Sequence, residues 1–318
     1  MRAVAKMKIL ALLTAVAAVA AIAVVGASGA SAAAVTVDLC AKAGSVTMSD
    51  STVVDTWSFV PGDCTSGSAG AGGPVLEANV GDVVTINLTS DLPAGHTASF
   101  ELAGLPVKDN GDGTFQFTAA RPGTFAYQSP GDSGRQQAMG LYGALVIRPA
   151  GEGAGFAGSS CSSAPGAVYG AGFDRECVMV LSAIDPAFNA DPDNFDMNGY
   201  LAKYWMINGK SYPDTDSLAG GAAGSRLLIR YVNAGFDNTS MSLLGGDELV
   251  IARDAHPLTD TFMAVTETIP AGATEDALFV VPAAAPPSAN GFPLFNRNLH
   301  VTNGADSPGG MMTFITKP

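Results

Sequence analysis

The chain has 318 residues, enough for one large domain or two domains of ordinary size. Only 14% of the residues are charged, whereas glycine (38) and proline (19) are abundant, so the sequence is poor in residues that favour helices. The formal net charge of −13 repels the phosphate backbone, and we therefore expect no nucleic-acid partner.

The first 32 residues have the pattern of a secretory signal peptide. Three cations within the first eight residues precede an apolar run at 9–25, and a small-x-small cleavage site ends at Ala32. An uncleaved N-terminal anchor is the alternative, because the apolar run is longer than usual. No later segment has the ~18 apolar residues that a membrane span requires. We therefore expect a secreted or periplasmic protein with no membrane span after signal removal.

Short β-branched runs separated by Gly, Pro, Asn and Asp recur along the rest of the chain. They predict strands at 35–39, 52–59, 83–88, 114–118, 123–128, 144–148, 178–182, 226–232, 248–252 and 277–281. The sequence DNGDG at 109–113 predicts a hairpin turn, because Asn-Gly and Asp-Gly readily adopt positive φ. Helical periodicity is weak outside the leader. The fold class predicted is therefore all-β, with antiparallel β-sandwiches.

The stretch 150–171 is almost entirely Gly, Ala and Ser, which predicts a flexible connection. The strand-rich segments on its two sides each have the size of an ordinary domain. We predict a first domain at 33–150, the connection at 151–175 and a second domain at 176–318.

The four cysteines are candidates for disulfides, because an exported protein meets an oxidising environment. Three pairings are formally possible from the sequence. Proximity favours Cys40–Cys64 and Cys161–Cys177, each of which closes a loop at the edge of a candidate domain. Copper ligation by thiolates is the alternative, but the histidine-rich surroundings typical of such sites are missing.

The order of several segments resembles the cupredoxin domains of multicopper oxidases. In the first half these segments are PVLEANVGDVVTINL at 74–88, GTFAY at 123–127 and GLYGALVI at 140–147. In the second half they are NGKSYP at 208–213, RYVNAG at 230–235, IPAG at 269–272, NLH at 298–300 and GGM at 309–311. The resemblance covers nearly all of the chain after the leader, and it implies two cupredoxin-like Greek-key sandwiches.

The resemblance also implies where copper ligands would lie. The family's His-x-His-Gly aligns with 101–104, so Glu101 and Ala103 occupy its two histidine positions. A second His-x-His aligns with 128–130, where Gln128 and Pro130 stand. Alanine and proline side chains have no donor atom, and the hard oxygens of Glu and Gln suit copper(I) poorly. We predict that these four ligand positions are degenerate and that the protein holds no cofactor.

The chain has only three histidines, too few for the copper centres of a multicopper oxidase, and the family's terminal His-Cys-His is absent. By ligand count, a self-contained multicopper oxidase is excluded. We expect His96 and His256 in exposed loops and His300 in a partly buried strand. A residual metal site of His300 with Met311 or Met312 is the alternative to a core role for the methionines.

Two further patterns have ordinary structural interpretations. The acidic stretch 191–196 predicts a solvated loop rather than a calcium site, because it lacks the glycine and the distal glutamate of an EF-hand. Asp132 and Ser133 have no nearby histidine, so a hydrolase triad has no support.

The sequence thus predicts an exported, multicopper-oxidase-like protein that has lost its copper ligands. Its expected role is non-catalytic binding or assembly, with an unknown protein partner or a second copy of itself. The alternative is a copper-dependent oxidoreductase of the multicopper oxidase type with a divergent copper site elsewhere in the chain, or with a site between subunits to which several chains contribute His256 or His300.

Overall fold

The computed structural model describes residues 32–65, 67–152, 154–304 and 306–318, so residues 1–31 of the predicted signal peptide lie outside the described residues. The first half contains β1 (Ala34–Thr47), β2 (Val53–Pro61), β3 (Val75–Asn79), β4 (Val83–Asp91), β5 (Glu101–Leu102), β6 (Lys108–Asp109), β7 (Thr114–Thr118), β8 (Gly123–Gln128), a 3-10 turn (Asp132–Gly134), α1 (Arg135–Met139) and β9 (Tyr142–Arg148). None of the helices in this described part of the chain is long and apolar enough to cross a membrane.

The second half is also built from strands. It contains β10 (Cys161–Ser162), β11 (Gly166–Val168), β12 (Ala171–Phe173), β13 (Arg175–Ile184), α2 (Pro186–Ala190), a 3-10 turn (Met197–Gly199), β14 (Tyr204–Ile207), β15 (Leu218–Ala219), β16 (Arg226–Asn233), β17 (Thr239–Leu243), β18 (Glu248–Arg253), β19 (His256–Ala264), β20 (Thr266–Ile269), β21 (Thr274–Val280), β22 (Phe292–Asn296) and β23 (Met312–Thr316).

Each half forms a sandwich of two sheets around its own apolar core. In the first sandwich, a sheet of order β2-β1-β4-β7-β6 packs on one of order β3-β9-β8-β5. In the second, the order is β10-β13-β16-β21-β18-β19 with β14 beside β13, and the facing sheet is β15-β23-β22-β17-β20. Strands β11 and β12 pair with each other. The all-β, two-sandwich prediction is therefore confirmed.

The predicted strands all overlap observed ones, because their apolar residues alternate toward the core. In β4, for example, Val84, Ile86 and Leu88 are buried while the residues between them are not. The predicted turn at 109–113 joins β6 to β7 and has positive φ at Asp112 and at both of its glycines.

One correction concerns strand direction, because the sheets are mixed rather than purely antiparallel. Four pairs are parallel: β1 with β4, β3 with β9, β13 with β16, and β15 with β23. The chain visits the opposite sheet between the two members of each pair, so the second strand returns in the same direction as the first.

Both predicted disulfides are present. Cys40 bonds to Cys64, and Cys161 bonds to Cys177, its cross-strand partner between β10 and β13. The Gly/Ala/Ser-rich segment at 151–175 contains β10, β11 and β12. It is further held to the first sandwich because Glu77 accepts hydrogen bonds from the backbone N–H groups of Gly155 (2.6 Å) and Phe156 (3.0 Å).

An apolar seam joins the two sandwiches where β8 and β9 face β13 and β16. Its members are small or β-branched apolar residues with two aromatic rings, and all are buried, so the seam excludes water. They are Ala126, Tyr142, Ala144, Val146 and Phe156 on one side and Val178, Val180, Val232 and Ala234 on the other.

A chain of five charged side chains, which we call the buried charge chain, crosses between the sandwiches. Glu77 pairs with Arg148 at 3.1 Å, and Arg148 also pairs with Glu176 of the second sandwich. Glu176 then pairs with Arg230 at 2.8 Å, and Arg230 lies 3.5 Å from Asp276. The signs alternate along the chain, so each buried arginine lies between two carboxylates.

Hydrogen bonds also join the far end of the buried charge chain, at Arg230 and Asp276, to the first sandwich. The hydroxyl of Thr124 on β8 donates to Asp276 (2.5 Å) and accepts from Arg230 (3.1 Å), and Tyr169 donates to the second oxygen of Asp276 (2.9 Å). Burial opposes the charge of Arg230, but the carboxylates of Asp276 and Glu176 raise its pKa above the ordinary value. The two sandwiches are therefore joined through polar contacts that leave no charge unpaired.

Two buried glutamates of the second sandwich lie outside this chain and hold protons near neutral pH. Burial raises the pKa of Glu248 to about 7, although the Tyr231 hydroxyl donates to its carboxylate at 2.8 Å. Burial raises the pKa of Glu275 to about 8, although Arg253 donates to it at 3.0 Å.

These pKa values predict that the protein loses stability as the pH rises toward 8. The ordinary pKa of Glu248 is 4.5, so between pH 4.5 and about 7 the folded state binds a proton that the unfolded state has released. Ionising Glu248 in the folded protein therefore costs about 3 kcal/mol of unfolding free energy. Glu248→Gln keeps a carbonyl acceptor for Tyr231 and should remove that part of the decline. Urea unfolding measured from pH 5 to 9 checks this.

Asp260→Asn is the matched control, because Asp260 is exposed on β19 of the same sheet. It should keep the wild-type decline with pH. A wild-type decline that Glu248→Gln leaves unchanged would contradict the assignment.

Candidate functional site

The two predicted ligand positions that carry donor atoms lie directly opposite each other. Glu101 on β5 and Gln128 at the end of β8 are cross-strand partners. The Gln128 amide donates to the Glu101 carboxylate at 2.6 Å. Each side chain is therefore engaged with the other.

The other two predicted positions lie outside the strands and offer no ligand atom. Ala103 is in the turn after β5, where its backbone N–H donates to the Ala126 carbonyl, and Pro130 follows the end of β8. Because β5 and β8 are antiparallel, Ala103 and Pro130 continue from the Glu101–Gln128 pair in opposite directions. Both Ala103 and Pro130 are exposed, and neither side chain has a polar atom. The four positions form a hydrogen-bonded pair beside two inert residues.

His96 is not the exposed loop histidine that the sequence predicted, because its side chain is only 11% exposed. Its Nδ1 lies 2.8 Å from Asp132 and its Nε2 lies 3.3 Å from Asp193 of the second sandwich, while its ring packs on Trp57. The prediction that Asp132 lacks a nearby histidine is also wrong. Since carboxylates face both ring nitrogens, His96 links the two sandwiches and leaves no nitrogen for Ser133.

His256 is exposed, as predicted, but it is the first residue of β19 rather than part of a loop. It follows a turn in which Asp254 and Ala255 have positive φ. Its ring is the one imidazole of the three that lies on the protein surface.

His300 is partly buried, as predicted, but it lies in the loop after β22 rather than in a strand. Its ring stacks on Trp205, with centroids 4.1 Å apart and planes 12° from parallel. Burial lowers its pKa, although the charge of Asp237 acts in the opposite direction. Met311 is buried and its sulfur accepts from Asn296 at 3.4 Å, which agrees with the predicted core role.

The acidic stretch 191–196 does not gather its carboxylates around one point. Asp191 accepts from Asn194, Asp193 faces His96, and Asp196 caps the 3-10 turn at Met197–Gly199. Within the described residues, no three His, Cys, Asp or Glu side chains are grouped so that they could hold a metal ion.

A cleft of about 570 Å³ opens beside His300, and we call it the aromatic cleft. Three aromatic side chains line it together with His300 and one carboxylate. The residues lining it are Ser133, Gly134, Met197, Tyr200, Leu201, Ala202, Trp205, Phe236, Asp237 and His300. Its volume is in the range of small-molecule sites.

Three separate segments position the aromatic rings of the cleft. Tyr200 follows the 3-10 turn, and its hydroxyl donates to the Ala183 carbonyl at 3.2 Å. Trp205 is held in β14, which pairs with β13. Phe236 lies in the turn after β16 and meets Tyr200 edge to face, with planes 78° apart. The cleft is therefore built on hydrogen-bonded elements, with Phe236 at its rim.

The sequence alone does not predict this cleft. Tyr200 and Trp205 stand in a stretch without clear strand alternation, and these aromatic residues are the one local signal for it. The acidic stretch 191–196 just before them predicts a solvated loop instead.

Comparisons with known proteins show which solved structures share this architecture. No protein-family profile matches the chain. A blue copper oxidase from Nitrosomonas europaea superimposes with a TM-score of 0.71 at 19% identity, over 90% of this chain and 86% of that one. The multicopper oxidase mgLAC gives a TM-score of 0.70 at 20% identity, over the same shares of the two chains. The chain has the two-domain cupredoxin fold of the multicopper oxidases.

Two other similarities agree with this fold. A copper nitrite reductase from Nitrosomonas europaea gives a TM-score of 0.64 at 18% identity, over 89% of this chain and 94% of that one. An L-ascorbate oxidase from Cucurbita pepo var. melopepo is 33% identical over 96 residues, which cover 24% of this chain. The chain spans 16% of the length of that enzyme.

The residues present do not fit the copper centres of a multicopper oxidase. Imidazole and thiolate are the ligands that copper sites of this fold use. All four cysteines are bonded in disulfides, and the ring nitrogens of His96 face carboxylates. At the predicted ligand positions, only Glu101 and Gln128 carry donor atoms, and these bond to each other.

Proposed function

We propose that this protein is an exported, non-catalytic binding protein built on the multicopper oxidase fold. The observation that carries the proposal is the hydrogen bond between Gln128 and Glu101 at the positions where copper ligands are expected. A side-chain amide donating to a carboxylate is a satisfied polar pair, which has no need of a metal ion. Ala103 and Pro130 beside them cannot ligate.

The retained fold supports a binding role rather than simple decay of an enzyme. Both sandwiches keep complete apolar cores, and the buried charge chain still joins them. The aromatic cleft supplies a place for a ligand, while a protein partner or a second copy would meet the acidic outer surface. The two disulfides and the leader pattern support export.

Copper content per chain tests the proposal. We expect well below one copper atom per chain after loading with copper salt and desalting, measured by elemental analysis on protein with its disulfides intact. His256→Gln is the control for adventitious binding, because His256 is the exposed histidine. One or more coppers per chain that survive this substitution would overturn the proposal and favour the copper-dependent oxidoreductase.

Export is tested separately by expressing the whole chain in a bacterial host that forms disulfides in its periplasm. We expect the periplasmic fraction to contain a chain that begins at Ala33 and has no thiol that reacts with an alkylating reagent, as read by intact mass. A full-length chain retained in the membrane would instead establish the uncleaved anchor. Reactive thiols in a cytoplasmic chain would contradict export.

A further inference from the structure

The aromatic cleft leaves apolar and aromatic surface exposed. Leu201 is 70% exposed and Phe236 is 43% exposed, although both are large apolar residues. Tyr200 and Phe236 stand nearly perpendicular to each other, so they form two walls that meet at a corner. Trp205 has one face covered by His300. An arrangement of aromatic walls around a cavity is the form of site that holds an organic cation.

The charges around the cleft select the sign of the ligand. Asp237 is exposed at the rim and forms no salt bridge with any residue that the structure describes. No lysine or arginine is among the described residues that line the cleft. Burial lowers the pKa of His300, which disfavours the positively charged form of its ring. The lining thus presents the exposed carboxylate of Asp237 and no lysine or arginine.

The negative charge of Asp237 affects two residues that line the cleft, Tyr200 and His300. It acts on Tyr200, where burial raises the pKa of the phenol most, the interactions with Tyr142 and Asp185 act next, and the charge of Asp237 contributes least. It also acts on His300, where it opposes the effect of burial. The carboxylate therefore acts on rings from two different segments, and a cation bound between them would lie within its field.

We propose that the aromatic cleft binds an alkylammonium ligand, whose cationic head is held by the rings of Tyr200, Trp205 and Phe236 and by the carboxylate of Asp237. Quaternary ammonium groups fit this chemistry because they have a diffuse positive charge and no proton to donate, so they need aromatic faces rather than hydrogen-bond acceptors. An anionic ligand would meet the repulsion of Asp237. A metal ion would find a single carboxylate.

The inference rests on the proposed binding function, since it names the ligand class, but the two fail independently. Copper bound elsewhere in the chain would overturn the non-catalytic role and leave the chemistry of the cleft unchanged. Failure to bind an alkylammonium ion would leave the copper content unchanged.

Choline is the probe, and its neutral carbon isostere, with a tert-butyl group in place of the trimethylammonium group, is the matched ligand. We expect calorimetry on the mature chain to show saturable binding of one choline per chain. The isostere should bind about tenfold more weakly, because it has the same shape without the charge. Equal affinity for the two ligands, or no saturable choline binding up to about 10 mM, would overturn the proposal.

Two substitutions locate the site, and both change exposed residues so that folding is retained. Phe236→Ala removes one wall and Asp237→Asn removes the charge while keeping the shape, and each should weaken choline binding about tenfold. Phe262→Ala and Asp247→Asn are the matched controls, since both residues are exposed elsewhere in the second sandwich, and they should bind choline as the wild type does. Unchanged choline binding in both cleft variants would place the ligand elsewhere and refute the site.

Discussion

The buried charge chain from Glu77 through Arg148, Glu176 and Arg230 to Asp276 is the constraint on which the arrangement of the two sandwiches depends. Burying five charged groups has a large desolvation free energy. Ion pairs offset it only when each charge lies close to an opposite charge in good geometry. Within the described residues these partners come from both sandwiches, so neither sandwich can rotate against the other without leaving a buried charge unpaired. The apolar seam beside it adds affinity, but apolar contact alone is non-directional.

This fixed arrangement positions both the Glu101–Gln128 pair and the aromatic cleft. Strand β8 carries Thr124, which bonds to Asp276, and ends at Gln128, which bonds to Glu101. The aromatic cleft combines Ser133 and Gly134 of the first sandwich with rings of the second, so its shape also depends on how the two are joined. His96 strengthens the junction near the cleft through Asp132 and Asp193.

The fold can persist without copper ligands because the two sets of residues are separate. The core side chains of β8, Phe125 and Tyr127, lie in the strand interior, whereas Gln128 stands at the strand end. Replacing ligands at strand ends leaves the apolar alternation intact, and burial of that alternation is what stabilises the sheets. Under the proposed function, the expected ligand positions hold a polar pair at Glu101 and Gln128, while the core residues of the same strand stay buried.

The sequence predicts the features that depend on neighbouring residues. Alternation predicted strands such as β7 and β8 to their ends, Asn-Gly and Asp-Gly predicted the turn between β6 and β7, and proximity predicted both disulfides. Parallel pairing was missed because it depends on which sheet the chain visits between two strands. The setting of His96 was missed because Asp193 is distant in sequence, and the aromatic cleft was missed because its rings come from segments that meet only in the folded chain. The residues that give the site its chemistry are thus the hardest to predict from local sequence patterns.

The central claim is that the chain keeps the multicopper oxidase fold but binds no copper at the expected ligand positions, because Glu101 and Gln128 are hydrogen-bonded to each other there. Crystals grown with copper(II) and measured at the copper absorption edge test it most directly, because the anomalous map locates any ordered copper. The account predicts no peak between Glu101 and Gln128 and an intact hydrogen bond between them. An ordered copper ligated at that sheet edge, with the two side chains turned apart to receive it, would contradict the account.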